Sequence, residues 1–396
     1  MPINYNGVLN QSEVYSTLRN MIISQQTFAD NIAGVASSLV DKARVDGGIY
    51  GDTKLYISTD VLESHEWEGD AEAANLLAID RAPEPKVQSI VLNKFRQIRV
   101  TTDDLLSKRA FLTENVFSEF TAVILAWLRD TKRVYDATTY AAWFGTHVSS
   151  GAKQQVSVDL TTAGGNASTE LEKVKLQAME FGRALADLLV EMKDVSRDFN
   201  DFGHLRSYSG EAIKIVWNSK YYNKLRKVDL PTIFHNEGII EKFDSDVLSS
   251  KYFGTVITSS NISSFSASTP AAGKPIDSDD GTYTPGSNNA NGCIRSLVEK
   301  KVKISDVDYH IFPGMELPAG ATIVASTGDW LPGEVYIEQG DVIAKIVVKY
   351  PPFMSAFEVG SEFWNPRSHT RNNYLTFSHN TLEHLAGYPF ITVKAI

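Results

Sequence analysis

The run TENVFSEFTAVILAWLRDTKRVYDATTYAA, residues 113–142, decides how the chain is read. Val116, Phe117, Phe120, Val123, Ile124, Trp127, Leu128, Val134 and Tyr135 recur at helical spacing and line one face. Thr113 can cap the start, and Glu114 puts a carboxylate in the positive first turn. A helix of about 30 residues spans ~45 Å. A small globular unit does not need that length, so the run implies a flat or elongated molecule.

Upstream, KVQSIVLNKFRQIRVTTDDLL (86–106) reads as a strand. It holds β-branched residues, alternates through Phe95, Ile98 and Val100, and follows Pro83 and Pro85. Residues 60–84 are acidic, with only His65 and Arg81 opposed. This stretch reads as a solvated loop, or as an extended arm, because Trp67, Leu76, Leu77 and Ile79 need a partner. Gly47, Gly48 and Gly51 make the backbone ahead of it permissive. Residues 11–45 carry Val14, Leu18, Met21, Ile22, Ile32, Val35, Ala36 and Leu39 behind a Ser12 cap. That stripe either packs in a core or docks on a neighbour.

Downstream, SSGAKQQ and TTAGGNAST break the pattern. A second amphipathic helix then runs from Leu171 to Met192, capped by Ser168 or Thr169. AIKIVWNSKYYNKLRK, from Ala212, is a buried strand entering a helix, with Asn218 and Ser219 at the junction. Residues 255–293 turn rich in Ser, Thr, Gly, Asn and Pro, which marks a long surface loop or small β insertion. The last third is β-rich. VYIEQGDVIAKIVVKYPPF reads as a strand pair ended by Pro351 and Pro352, and YPFITVKAI as a final strand.

The 396 residues are 43% hydrophobic and 22% charged, an ordinary globular balance. One cysteine, Cys293, excludes an internal disulfide and a CxxC zinc framework. The net charge of −10 argues against tight nucleic-acid binding, which needs Lys and Arg on phosphates. No signal-peptide pattern and no apolar run of ~18 residues occurs, so a soluble cytoplasmic chain is expected. GxSxG, GxGxxG and GxxxxGK[ST] are absent.

SHTRNNYLTFSHNTLEH (368–384) gathers His369, His379 and His384 beside Glu383. A metal-dependent enzyme built on them is one reading. The five-residue step from His379 to His384 fits neither one helix face nor one strand face. Polar partners at turns and caps are the simpler reading, with Tyr374, Leu375 and Phe377 as the apolar strand positions.

The element order, with DYHIFPGMELPAG and YPPFMSAFEVGSEFWNPRS, resembles the major capsid proteins of tailed bacteriophages. Their Hong Kong ninety-seven fold is shared with herpesvirus shells and encapsulins. The resemblance implies an α+β capsid fold. Residues 1–45 would be an N-terminal arm and 46–85 an extended loop lying over a neighbouring subunit. Residues 86–165 would be a peripheral domain, its spine helix at 113–142. Residues 166–330 would be mainly an axial domain with the polar insertion 255–293, and 331–396 would return to both sheets. It implies hexamers and pentamers forming an icosahedral or prolate shell around double-stranded DNA. A separate scaffolding protein and a portal would be partners, in a virion assembled in the host cytoplasm without a membrane. An encapsulin-like cargo shell is the alternative. No catalytic residue, metal or cofactor is expected, and Lys54 is expected to form no cross-link. Subunit-interface candidates are Gly47, Gly48, Gly51, Tyr56, Trp67, Leu76, Leu77, Met21 and Phe28.

Overall fold

The computed structural model describes residues 39–47, 53–64, 66–67, 81–103, 114–151, 153–165, 167–226, 244–262, 293–318, 320–323 and 328–396. Two five-stranded sheets hold most of the strand residues. The long sheet has the order β1-β13-β14-β3-β2. Its strands are β1 (Arg44–Asp46), β2 (Thr53–Ser58), β3 (Lys86–Asp103), β13 (Phe353–Asn365) and β14 (Thr370–Asn380). The central sheet, β4-β15-β12-β5-β6, comprises β4 (Gln155–Val158), β5 (Lys214–Asn218), β6 (Asp244–Leu248), β12 (Val342–Val347) and β15 (Phe390–Ala395).

The central strands β5 and β12 lack polar–apolar alternation because both faces of the sheet are covered. On one face, Phe181, Leu185, Leu188 and Met192 of helix α4 (Glu170–Lys193) pack on Ile215, Trp217, Ile343 and Ile346. On the other, Tyr140 and Phe144 of helix α2 (Glu114–Thr146) pack with Val216, Val347 and Phe390. Leu39, Val40 and Ala43 of helix α1 (Leu39–Ala43) join that second cluster. The helix expected at 113–142 therefore runs to Thr146, and its last turn is core. There the backbone of Tyr252 comes so close that a Cβ on Gly145 would sit 2.1 Å from its carbonyl oxygen.

The helix expected from Leu171 begins at Glu170, and Thr169 is its cap: its hydroxyl accepts from the amide of Glu172 (3.2 Å). The Glu172 carboxylate reaches back to the amide of Ser168 (2.9 Å). Thr169→Ala is expected to cost about 1 kcal/mol in urea-induced unfolding, from one lost N-terminal acceptor. Asn218 closes the strand-to-helix step into α5 (Ser219–Arg226), accepting from Lys220 N–H (3.1 Å) and donating to Val342 O (2.8 Å).

Two expectations change. Val335–Glu338 (β11) and β12 follow one another but are not partners: β11 pairs with β7 (Gly254–Val256) and β8 (Ile294–Ser296) in a separate three-stranded sheet. Thr255 and Val256 thus lie in a strand, in keeping with the β alternative for 255–293, and residues 263–292 of that stretch lie outside the described residues. Of the helix expected over 11–45, residues 39–43 are helical, 44–46 form β1 parallel to β13, and 11–38 lie outside the described residues.

Candidate functional site

Among the described residues the long sheet has one covered face and one bare face. In antiparallel pairs directly opposed residues share a face, so the register assigns each side chain. Inward lie Ile90 and Leu92 of β3, Leu375, Phe377 and His379 of β14, and Met354 of β13. They meet Leu385 and Tyr135 of α2. Outward, Ile57 opposes Val87 and Thr53 opposes Val91 on the β2–β3 side. Phe95 opposes Ser378, and Phe363 opposes Asn372 on the β13–β14 hairpin. Leu55, Ile57, Val87, Phe95 and Phe363 are each half or more exposed. Monomers seldom leave so wide an apolar face open to water.

In the segment after β2, Val61, Leu62 and Trp67 are exposed as well, Trp67 at 91%. Among the sequence-derived interface candidates, Trp67 thus stands free of its own subunit. Tyr56 does not: it faces inward, half-buried against the Ile90–Leu92–Met354–Leu385 cluster, with the Lys349 ammonium 5.6 Å from its ring centre. Its neighbours Leu55 and Ile57 are the outward residues, because a strand turns alternate side chains to opposite faces. Gly47 continues β1, its N–H donating to Ser355 O (3.4 Å). Gly48, Gly51, Leu76, Leu77, Met21 and Phe28 lie outside the described residues. Lys54 reaches the backbone carbonyl of Asp46.

The three C-terminal histidines do not converge. His369 occupies the β13–β14 turn at φ 53°, edge-on to Trp364. His379 lies nine residues along β14 from Thr370, about 30 Å at the strand rise. It is buried rather than at a turn: Nδ1 donates to Asn380 O (2.8 Å), and Nε2 accepts from the Tyr135 hydroxyl (2.8 Å). Burial lowers its pKa to about 4, aided by Arg96, Lys94 and Lys132 against the opposing Asn380 bond. Glu383 is exposed. No metal-ligating group of three occurs among the described residues.

His384 belongs to a network that the sequence does not signal. Its Nε2 donates to Asp201 Oδ2 (2.6 Å), and its Nδ1 faces His147 Nε2 (2.8 Å) at the end of α2. Ser149 and Gln154 donate to Asp201 Oδ1 at 2.8 and 2.7 Å. Burial raises the Asp201 carboxyl, but the bonds from His384, Ser149 and Gln154 outweigh it and leave the pKa below the ordinary value. Burial, then His384 and Lys345, lowers His147 to about 3. The ammonium of the fully buried Lys345 donates to His147 O, and burial holds its pKa well below the ordinary lysine value. With Asp201 ionised, one arrangement fits: His384 gives its Nε2 proton to Asp201, and His147 gives its own to His384.

The fold, a long helix with a long sheet and a covered central sheet, matches that of solved phage capsid structures. The structure superimposes on a capsid structure of Staphylococcus phage Andhra with TM-score 0.54 at 9% identity, covering 91% of this chain and 84% of that one. A structure described as head fiber and inner core protein gp22 of native bacteriophage P68 gives 0.50 at 10%, over 89% and 86%. No curated protein matches the sequence. The family model for the Phi29-like phage major capsid protein matches residues 8–314, and the chain belongs to that family. It is a structural protein of the phage virion.

Proposed function

We propose that the chain assembles as hexamers and pentamers into a closed icosahedral or prolate shell around double-stranded DNA. The apolar face of the long sheet, exposed among the described residues together with Trp67, carries this reading. It offers each subunit a large surface that a neighbour can cover. A separate scaffolding protein and a portal complete the assembly in the host cytoplasm. The net charge of −10 suits an inner wall that does not hold packaged DNA tightly.

Within this reading α2 and the long sheet form the peripheral domain, and residues 166–330 contribute mainly to the axial domain. The 331–396 segment returns to both, a division supported by β13 and β14 in the long sheet and β12 and β15 in the central one. Of residues 1–45, those ahead of the core-packed α1 act as the arm, and the segment between β2 and residue 85 acts as the loop over a neighbour.

Negative-stain images of the purified protein, alone and co-expressed with its scaffolding protein, should show shells, tubes or capsomers. A strictly monomeric protein under both conditions would remove the proposal.

A further inference from the structure

Both stems of the segment between β2 and β3 are fastened to one platform, residues 196–206 with 384–387. On the outgoing side, Asp60 Oδ1 accepts from the N–H groups of Leu205 and Val61, each at 2.9 Å. Its Oδ2 accepts from Arg197 Nη1 (2.6 Å). The Arg206 guanidinium donates to Thr59 O and approaches Ser58 Oγ (3.4 Å). On the returning side, Lys86 Nζ donates to Phe202 O (2.9 Å), and Gln88 exchanges two bonds with His384 O and Ala386 N–H (2.9 Å each).

The platform is itself fixed to the body. Ser196 and Arg206 form a bridge, Asp201 N–H donates to Ala386 O (2.8 Å), and the Asp201 carboxylate joins the His384–His147 network. Both stems are therefore held on one surface that is itself bonded to the body of the subunit.

We propose that Asp60 is the positioning residue that sets the direction in which the chain departs from β2 at Val61 and Leu62, and that this direction is required for shell closure. The second half rests on the reading above, in which the segment after β2 reaches a neighbour. Asp60 is suited to the role because one short side chain holds three donors, two of them backbone amides that straddle the exit point. Removing it leaves the platform whole: Arg197 still donates to Gly203 O (2.8 Å), and the Ser196–Arg206 bridge does not involve it. A segment already held in its docking direction loses less freedom on association, so releasing it weakens assembly without removing any contact between subunits.

The test uses full-length protein with Cys293→Ser and spin labels on Trp67→Cys, at the exit, and Val190→Cys, an exposed site on α4. Distance distributions on dissociated subunits should be narrow with Asp60 present. They should broaden a little in Arg197→Gln and in Asp60→Asn, which both lose the bond to residue 197, and most in Asp60→Ala, which loses all three. Thermal midpoints of the subunits should stay together. In unlabelled protein carrying the same substitutions at residues 60 and 197, closed shells counted by electron microscopy should fall likewise, to about tenfold fewer for Asp60→Ala. An unchanged distance distribution in Asp60→Ala overturns the positioning role. A broadened one with shells of unchanged number and diameter overturns its link to closure. If the unsubstituted protein forms no shells, the shell reading fails instead, and the distances still decide the role of Asp60.

Discussion

Changing Phe95 and Phe363 together to aspartate is expected to abolish shell assembly while leaving the subunit folded. Both rings stand on the bare face of the long sheet, one on β3 and one on the β13 hairpin arm, 50% and 60% exposed. Water already reaches them in the subunit, so the folded state loses little; surface changes of this kind usually shift stability by about 0.5 kcal/mol or less. At a contact the balance reverses. A buried aromatic anchor is worth about 2 kcal/mol, and two together about 4, which weakens association on the order of a thousandfold. A carboxylate left unpaired under a neighbour adds further cost. Sedimentation should then show subunits or capsomers only, with a thermal midpoint close to the unsubstituted protein's. Normal shells from this variant would mean that the face points to solvent in the virion and that the contacts lie elsewhere.

How far the sequence led depends on the range of the interaction. The long helix was legible because its stripe is local, and Thr169 because a cap acts on the next turn. The run from Lys214 through Arg226 was legible because a strand covered on both faces must be apolar throughout. What could not be read was pairing at a distance. β11 and β12 look like a hairpin, yet β11 pairs with Gly254–Val256 and Ile294–Ser296, and no periodicity encodes that choice. In β2 the more apolar face, Leu55 and Ile57, turns outward while Lys54, Tyr56 and Ser58 turn inward, the reverse of a strand's usual burial, so the sequence offers Tyr56 as an interface candidate and passes over its neighbours. His384 was grouped with its sequence neighbours, whereas its partners His147 and Asp201 lie 237 and 183 residues away. Asp60 was one acid in an acidic stretch until its partners near residue 200 set it apart.

Those distant pairings also predict how the subunit responds to acid. His379 and His147 are neutral in the folded protein, with pKa values lowered to about 4 and about 3 from an ordinary 6.5, mainly by burial. Below that ordinary value the unfolded chain binds two protons that the folded chain refuses. Stability therefore falls as pH drops from about 6.5 toward 4, by up to ~1.4 kcal/mol per pH unit for each histidine. At about pH 5 the pair together costs about 4 kcal/mol, a large part of a typical domain's margin. Asp201 acts in the same direction only below the ordinary carboxylate range, since its own pKa is lowered. Burial, with the nearby charge of Lys394, also holds the Lys345 pKa down, so total slope alone does not isolate the histidines. His379→Gln does. Glutamine can still accept from the Tyr135 hydroxyl but takes up no proton, while every other titrating group is unchanged. Urea unfolding of dissociated subunits between about pH 6 and 4.5 should lose about 1.4 kcal/mol per pH unit less in this variant than in the unsubstituted protein. Parallel curves would show that His379 is protonated in the folded subunit, which would in turn require the Tyr135 hydroxyl to turn away from Nε2.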